Sequence, residues 1–430
     1  MKIAVIGLGK IGLPIAVQYA MKGNSVIGVD INPRTVELIN KGIEPFPEES
    51  HLNEYLKYVN NKKLLSATLD YSEAIKYADV IVVIVPLIVN GKSEPNFDEI
   101  DRSCALIGAN LRKGALICFE TTVPIGTTRT RCVPILEKNS GMKVGEEFNV
   151  VFSPERVFTS RIFEDLKKYP KIVGGITQLC AQKGADFYNE VLDFDLRDDL
   201  SKPNGVWTVK NSDSAEFVKL AETTYRDVNI ALVNQFAMYS DKIGVDIYEI
   251  IESANSQYFS NLHQPGISVG GHCIPVYPQF YLWNDNSATM IRAARIRNSS
   301  MPKYAIECLK NFLGDLSGMN ILVLGLSYRA NVKESAFSGC FELRNELVKH
   351  KAIVQVIDPY FSTEEIQNLG LNPYAGVNAE VDGIIIHTSH SEFNLFLREP
   401  FPNCRIILDG RNYLNNTKEI NSIPVRKLGG

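Results

Sequence analysis

The sequence has little excess charge of either sign and no long hydrophobic run. Lys and Arg number 45 against 49 Asp and Glu, a formal net charge of −4, and there is no basic block that would make nucleic acid the main partner. The longest apolar run, Val80 to Val89, has ten residues, whereas a membrane-spanning helix needs about twenty. We therefore expect no nucleic-acid partner and no membrane span, and we interpret the run as a buried strand.

The eight cysteines are scattered, with no C-x-x-C pair among them. This pattern indicates neither a disulfide scaffold nor a zinc site, so it predicts no metal and a reducing, cytoplasmic location. The N-terminal stretch is loosely like a signal peptide, but Lys10 and the glycines around it break that pattern, and no small-residue cleavage site follows. His387 and His390 form an H-x-x-H after an apolar run, which we interpret as a strand end followed by a loop.

Strand-like and helix-like segments alternate at both ends of the 430-residue chain, a length that favours two or three domains. Such alternation is typical of parallel, doubly wound sheets. Between the two ends, residues 212–243 lack Pro and Gly and repeat apolar side chains at three- and four-residue steps, which predicts one helix of about 30 residues. The predicted fold class is α/β: two Rossmann-like doubly wound parallel-sheet domains, 1–200 and 316–430, joined by a long central helix and a helical middle domain, 201–315.

A G-x-G-x-x-G motif, GLGKIG at 7–12, follows the first predicted strand and opens the first helix. In this context Gly7 makes the tight turn, Gly9 lets a pyrophosphate approach and Gly12 allows close packing, while the helix N-terminus favours the phosphate charge. Asp30, at the end of the next strand, is near the spacing expected for the acid that binds the ribose hydroxyls. A carboxylate there favours NAD over NADP, although Arg34 nearby could meet a 2′-phosphate.

The stretch ISVGGHCIPVYPQF, residues 267–280, predicts a shaped loop that presents Cys273. Gly270 and Gly271 permit backbone angles closed to other residues, and two prolines stop regular structure. Free cysteines are usually buried packing residues, so the residues alone leave packing and reactivity both open. A nucleophilic cysteine beside an NAD domain would suit the oxidation of an alcohol through a thiohemiacetal and a thioester.

Several separated motifs resemble the UDP-glucose/GDP-mannose dehydrogenase family, the nucleotide-sugar 6-dehydrogenases, nearly from end to end. They are GLGKIGLP, VDINP, ETTVPIGTT, SPERVF, AEFVKLAETTYRDVNIALVNQ, VGGHCIPVYP, GLSYR and DGRN. The SPERV and GGHCIPV variants look like the branch that oxidises UDP-N-acetyl-D-mannosamine or UDP-N-acetyl-D-glucosamine. The resemblance implies NAD as cofactor, a UDP-sugar substrate, and NAD-binding, dimerisation and UDP-sugar-binding roles for the three domains in chain order. It also implies a homodimer formed through the central helix.

The resemblance also assigns roles to individual residues. It implies that Cys273 is the nucleophile, that Lys219 stabilises the oxyanion, that Glu155 assists hydrolysis and that Thr122 orients water. The implied cofactor contacts are Gly7, Gly9, Lys10, Ile11, Gly12, Asp30, Arg34, Pro86, Thr122 and Lys333. The implied substrate contacts are Arg156, Val157, Lys219, Thr223, Arg226, Gly271, Arg329 and Arg411.

Two positions depart from the family pattern. Thr223 stands where an asparagine usually helps to hold the oxyanion, and a threonine hydroxyl could donate instead. Tyr277 stands where an aspartate usually serves proton transfer, and a phenol with a pKa near 10 is a poor base at neutral pH. These departures motivate one alternative to the N-acetylhexosamine reaction, a sugar-nucleotide-binding protein with impaired catalysis. Two further alternatives are a UDP-glucose 6-dehydrogenase and a two-electron dehydrogenase of the β-hydroxyacid type, although the latter would need neither Cys273 nor a second nucleotide domain.

Overall fold

The structure is a computed structural model that describes residues 1–46, 48–376, 380–415 and 417–430. Its residues form two compact units. The first contains Met1–Glu222 and Gln279–Asn284, and the second contains Thr223–Pro278 and Asp285–Gly430. The three domain ranges expected from the sequence stay a prediction.

The first unit is built on a sheet with the strand order β10-β9-β8-β7-β4-β1-β2-β3. Its strands are β1 (Lys2–Ile6), β2 (Ser25–Val29), β3 (Leu65–Thr68), β4 (Val80–Val83), β7 (Leu116–Phe119), β8 (Asn149–Phe152), β9 (Lys171–Gly175) and β10 (Val206–Thr208), with β5 (Ile88–Val89) and β6 (Pro95–Asn96) forming a separate hairpin. The inner strands β4, β7, β8 and β9 are buried at every residue, as a sheet covered by helices requires, whereas the edge strands β3 and β10 are partly exposed.

Helices follow most of these strands. They are α1 (Gly12–Met21), α2 (Pro33–Asn40), α3 (Leu52–Asn61), α4 (Tyr71–Ile75), α5 (Asp98–Asn110), α6 (Val133–Ser140), α7 (Ile162–Lys168) and α8 (Gln178–Val191), with a π-helical turn at Thr128–Cys132. The alternation confirms the predicted doubly wound α/β fold. One pair departs from the parallel pattern, because β9 runs antiparallel to β8, with Phe152 opposite Gly174. The start of β9 therefore lies at the same edge of the sheet as the carboxyl end of β8.

The second unit carries its own sheet in the order β12-β11-β13-β14-β16-β15, parallel except for β15 against β16. Its strands are β11 (Asn320–Leu324), β12 (Ile353–Ile357), β13 (Gly383–Ile386), β14 (Ile407–Asp409), β15 (Glu419–Ile420) and β16 (Ile423–Lys427). Its helices are α10 (Ile247–Asn255), α12 (Thr289–Leu313), α13 (Cys340–Lys349), α14 (Thr363–Asn368) and α15 (Phe393–Phe396). A buried core on one face of this sheet joins α12 and α13 to β11 and β12.

The long helix predicted between the sheets is confirmed as α9, Ser212–Ile243, with 32 residues. Its residues up to Glu222 belong to the first unit and the rest to the second. Nowhere in the described chain does a helix combine the length and the apolar character needed to cross a membrane.

Two local predictions were wrong. The apolar run 80–89 is not one strand: β4 ends at Val83, and Pro86, which cannot donate to a ladder, separates it from β5. The run 267–280 is a loop only as far as Val276, because α11 (Tyr277–Asn284) begins inside it. Pro278 did not prevent this helix, since an amide donor is not needed in a first helical turn.

Candidate active site

The glycine-rich turn between β1 and α1 contains two glycines that the packing of the chain requires and one that it does not. Gly7 has φ +95°, and a Cβ there would lie 2.7 Å from the carbonyl oxygen of Ile84. A Cβ at Gly12 would lie 1.9 Å from the carbonyl oxygen of Gly7, so the chain itself excludes larger residues at both positions. Gly9 is different, because it is exposed and nothing lies within 4 Å of where its Cβ would be. The open space at Gly9 fits the close approach of a pyrophosphate.

The first turn of α1 is also suited to an anion. No side chain caps its N-terminus at Ile11, and no acidic residue lies in the first turn. The positive end of the helix dipole therefore remains available to a phosphate. Lys10 is half-buried and its Nζ lies 3.2 Å from Glu48 Oε2. Together with Gly9, these features fit the diphosphate of NAD.

Asp30 directly follows β2 and lies beside this turn. One of its oxygens accepts from the Leu8 amide at 2.9 Å and the other from the Asn32 amide at 2.9 Å. Each oxygen keeps a lone pair, and the side chain is only partly buried, so both can still accept ribose hydroxyls. Arg34 is exposed at the start of α2, and Pro86 is exposed after β4.

Acidic and hydroxyl side chains follow β7 and β8 at their carboxyl ends. Glu120 comes directly after β7 and Thr122 two residues later, and both are buried. Glu155 lies three residues after β8, and its side chain is 11% exposed. Neighbouring parallel strands end at one edge of the sheet, so the predicted catalytic residues Thr122 and Glu155 lie at the same edge.

Lys219, on α9, reaches the segment that contains Glu155. Its Nζ donates to the Glu155 carbonyl oxygen at 2.6 Å and lies 3.3 Å from Glu222 Oε1. Arg156 donates from Nε to Glu222 Oε2 at 2.9 Å, and the neighbouring Val157 is half-buried. Lys219 is 7% exposed, so its ammonium lies where little water screens it. The structure thus brings Glu155, Arg156 and Lys219 together.

A buried ion-pair cluster that the sequence did not reveal supports Glu155. Lys171, the first residue of β9, forms ion pairs with Glu155 Oε1 and with Glu120 Oε1, the latter at 3.2 Å. The hydroxyls of Tyr188 and Tyr19 donate to the same Glu120 oxygen at 2.6 and 3.3 Å. Burial raises the pKa of Glu120 to about 7. Burial acts to lower the pKa of Lys171, but the charges of Glu120 and Glu155 outweigh it and raise that pKa, so Lys171 is protonated.

In the second unit, Cys273 lies in a tight turn just before α11. All eight cysteines are in the described part of the chain, and Cys273 is the one that is exposed. Its carbonyl accepts from the amides of Val276 and Tyr277, which turns the loop into the helix. A Cβ at Gly270 or at Gly271 would lie within 2.7 Å of Tyr328. Packing of Tyr328 against the two glycines therefore requires residues without side chains there, and Gly271 also has φ +89°.

Arg411 and His387 hold the start of this loop. Arg411 donates to the carbonyl of Ser268 at 3.1 Å, to its hydroxyl at 3.1 Å and to the carbonyl of His387 at 2.7 Å. The His387 ring is fully buried between Ser268 Oγ, at 3.0 Å, and the carbonyl of Gly325, at 2.9 Å. His387 follows β13 directly, as predicted from the H-x-x-H. In the described residues, no group of three or more His, Cys, Asp and Glu is placed to hold a metal ion.

The turn after β11 has the same backbone hydrogen bond as the turn after β1, but the aspartate beside it is buried and paired. The Gly325 amide donates to Ile357 as the Gly7 amide donates to Val29, each at 2.8 Å. Asp358 stands where Asp30 stands, but it is buried, accepts from the amides of Leu326, Ser327 and Tyr360, and pairs with His390 at 3.0 Å. Asp358 therefore has little capacity left for ribose hydroxyls, which distinguishes this second turn from an NAD site.

The remaining predicted contacts are Thr223, Arg226, Arg329 and Lys333, all in the second unit. Thr223 is buried and Arg226 is half-buried on α9, and Arg329 is half-buried after β11. Lys333 forms an ion pair with Glu365 at 2.5 Å and lies over the Phe361 ring.

Lys171 and Glu120 are the site residues that sequence reasoning missed. The available signal was a charged residue adjoining a strand that is otherwise fully apolar, since a buried charge needs a partner. The partner could not be named from the sequence, because it depends on the reversed direction of β9.

Comparison with known proteins identifies the family to which the chain is similar. The family models for the UDP-glucose/GDP-mannose dehydrogenase family match in order: the NAD binding domain over residues 1–192, the central domain over 213–300 and the UDP binding domain over 322–416. The first match confirms the prediction of NAD as cofactor, and the third shows that a UDP-binding domain is present.

Curated relatives match over nearly the full length. The UDP-N-acetyl-D-mannosamine dehydrogenase of Pyrococcus horikoshii is 33% identical over 422 residues, which cover 96% of each chain. The enzyme of the same name from Campylobacter jejuni is 32% identical over 91% of this chain and 96% of its own. The solved structure of the Pyrococcus horikoshii UDP-D-ManNAc dehydrogenase superposes with a TM-score of 0.87 at 30% identity, covering 100% of this chain and 99% of that one. This chain belongs to the UDP-glucose/GDP-mannose dehydrogenase family of NAD-dependent oxidoreductases.

Proposed function

We propose that the chain oxidises the C6 hydroxyl of a UDP-N-acetylhexosamine, UDP-ManNAc or UDP-GlcNAc, to the uronic acid in a four-electron reaction with Cys273 as nucleophile. The observation that carries the proposal is the exposed Cys273 in the loop after Gly270 and Gly271, in a chain alike over its whole length to UDP-N-acetyl-D-mannosamine dehydrogenases.

NAD, when bound, accepts the hydride at each of two successive oxidations. After the first, the Cys273 sulfur adds to the aldehyde carbon and forms a thiohemiacetal. After the second it holds the substrate as a thioester, which water then cleaves to the acid and the free thiol. The exposure of Cys273 suits a residue that must reach a substrate carbon.

Lys219 and Glu155 are suited to the charges that develop in these steps. The ammonium of Lys219 is nearly buried, and a positive charge in such an environment stabilises an oxyanion strongly. Glu155 Oε1 is occupied by Lys171, while its Oε2 is buried and has no hydrogen-bond partner among the described residues. An acceptor in that state is suited to take a proton from the attacking water. Thr122 would orient this water.

We assign the remaining predicted contacts to the sugar nucleotide. Arginines bind a diphosphate through two oxygens at once. The residues in this group are Arg156, Val157, Lys219, Thr223, Arg226, Gly271, Arg329 and Arg411. Thr223 lies one helical turn after Lys219 on α9, so its hydroxyl can serve the same oxyanion in place of an asparagine amide.

The direct test is the yield of NADH per sugar nucleotide, with UDP-ManNAc, UDP-GlcNAc, UDP-GalNAc and UDP-glucose as substrates. Two equivalents from an N-acetylhexosamine support the proposal, and two from UDP-glucose alone identify a UDP-glucose 6-dehydrogenase. One equivalent indicates a two-electron dehydrogenase, and none from any substrate indicates a binding protein without catalysis.

The variant Cys273→Ser tests the covalent steps. It keeps the size of the side chain but is a far poorer nucleophile, so we expect NAD and substrate binding to persist while uronate formation falls by at least about 1,000-fold. Cys308→Ser, at a half-buried cysteine, is the matched control and should keep normal activity. Steady production of the uronic acid by Cys273→Ser would leave Cys273 as a packing residue.

We also propose a homodimer formed through α9. Six large apolar or aromatic side chains on this helix are exposed, at the spacing of one helix face: Phe217, Tyr225, Leu232, Phe236, Tyr239 and Ile243. A stripe of this kind marks an interaction surface. The family resemblance favours a second copy of this chain as the partner.

A further inference from the structure

We propose that Lys171 is a positioning residue for the reaction: it holds the Glu155 carboxylate in place, and it is itself held by Glu120. This inference rests on the proposed role of Glu155. The family resemblance assigns no role to Lys171, nor to Glu120, although Glu120 opens the ETTVPIGTT motif.

The strand direction makes this contact possible. In a fully parallel sheet the first residue of β9 would lie at the edge opposite to the ends of β7 and β8. Because β9 runs antiparallel to β8, Lys171 lies at the same edge as Glu120 and Glu155. The reversal brings an ammonium between two carboxylates.

The cluster is buried, and one oxygen of each carboxylate is paired while the other has no hydrogen-bond partner among the described residues. The side chain of Lys171 is 6% exposed and that of Glu120 is not exposed at all. Glu120 Oε1 accepts from Lys171, Tyr19 and Tyr188, and Lys171 also lies 4.7 Å from the Tyr188 ring centroid. A side chain with so many partners has one position, which fixes the ammonium that binds Glu155.

Glu155 is held at two points, its carboxylate and its backbone carbonyl. Lys171 binds Oε1, and Lys219 binds the backbone carbonyl, so the side chain cannot rotate freely and Oε2 is the oxygen left to accept. The other ionisable groups around this cluster are Tyr19, Cys118, Tyr188 and Lys219.

The test compares Lys171→Met, which keeps the length of the side chain and removes its charge, with Lys171→Arg, which keeps the charge. For Lys171→Met we expect kcat to fall at least about tenfold, with KM for NAD changed by less than about threefold. Lys171→Arg keeps the positive charge and should restore most of the lost kcat.

A second readout does not depend on turnover. Infrared difference spectra between each protein and its Glu155→Gln counterpart isolate the Glu155 carboxyl band. The frequency of this band should differ between the wild-type and the Lys171→Met backgrounds, because the ion pair between Glu155 and Lys171 is lost, and Lys171→Arg should restore it. If the wild type forms no NADH from any sugar nucleotide, the proposed function fails, but these spectra still decide whether Lys171 binds the Glu155 carboxyl group.

A loss of kcat in Lys171→Met that Lys171→Arg does not restore, or a Glu155 band that is unchanged in Lys171→Met, would overturn the proposal and leave Lys171 with a structural role. Cooperative unfolding in urea and NAD binding check that each variant is folded. If Lys171→Met does not fold, Glu120→Gln takes its place: it weakens the hold on Lys171, so a smaller fall in kcat with a shifted Glu155 band supports the proposal, and no change in either contradicts it.

Discussion

At the scale of single residues, the same chemical group has different roles in the two α/β folds. Asp30 is partly exposed and each of its oxygens accepts one amide, so it keeps acceptor capacity for a ribose. Asp358, at the equivalent place after the second strand of its sheet, is buried, and its Oδ2 alone accepts two amides and pairs with His390. Burial and bonding distinguish the two aspartates, because a carboxylate oxygen has only two lone pairs.

His387 gives a prediction about pH. Burial lowers its pKa to about 3, so the folded protein keeps it neutral while the unfolded chain takes up a proton below about pH 6.5. The unfolded state then binds more protons, and stability is lost as the pH falls from about 6.5 towards 3. Between pH 6.5 and pH 5 this amounts to about 2 kcal/mol.

Urea unfolding at pH 5, 6 and 7 checks this prediction. His387→Gln should be less stable than the wild type at pH 7, and the difference should shrink by about 2 kcal/mol at pH 5 because glutamine does not titrate. His51→Gln, at an exposed histidine, is the control and should leave the pH dependence unchanged. A difference between wild type and His387→Gln that stays constant with pH would contradict the assignment.

At the scale of the elements, the turn between β1 and α1 contains one glycine that the fold requires and another that we expect only NAD binding to require. Gly12→Ala places a Cβ against the carbonyl of Gly7 and should destabilise the protein by at least about 1–3 kcal/mol. Gly9→Ala places its Cβ in open space, so stability should stay the same while NAD affinity falls at least about tenfold.

Urea unfolding and fluorescence titration with NAD measure the two effects separately. Gly91→Ala is the matched control, since nothing lies within 4 Å of its Cβ position either and it is outside the turn. It should change neither stability nor affinity. If Gly9→Ala binds NAD as tightly as the wild type, the cofactor does not approach this turn.

At the scale of the whole molecule, the exposed stripe on α9 predicts the oligomeric state. Light scattering at micromolar concentration should give twice the chain mass of 48.0 kDa. The double variant Leu232→Glu/Tyr239→Glu places two charges in the stripe and should give the mass of a single chain. Leu196→Glu, at a fully exposed leucine on the first unit, should remain dimeric. A wild-type mass of one chain would contradict the proposed homodimer.

The sequence by itself determined the parts of the fold that depend on local patterns. The alternation of apolar runs and helical segments gave the two α/β folds, and the absence of Pro and Gly from 212 to 243 gave α9. The turn at Gly7, Gly9 and Gly12 could be predicted because its requirement for glycine lies in a few adjacent residues. Motif resemblance supplied the candidates Cys273, Lys219 and Glu155.

The tertiary structure alone decided what depends on strand direction and burial. The antiparallel course of β9 brings Lys171 to Glu155, and no local pattern in the sequence encodes that reversal. The same holds for Gly270, whose lack of a side chain is explained by Tyr328, almost sixty residues away. The physical reason is that a buried charge or a close contact is defined by its partner, and the partner's distance along the chain has no fixed relation to its distance in space.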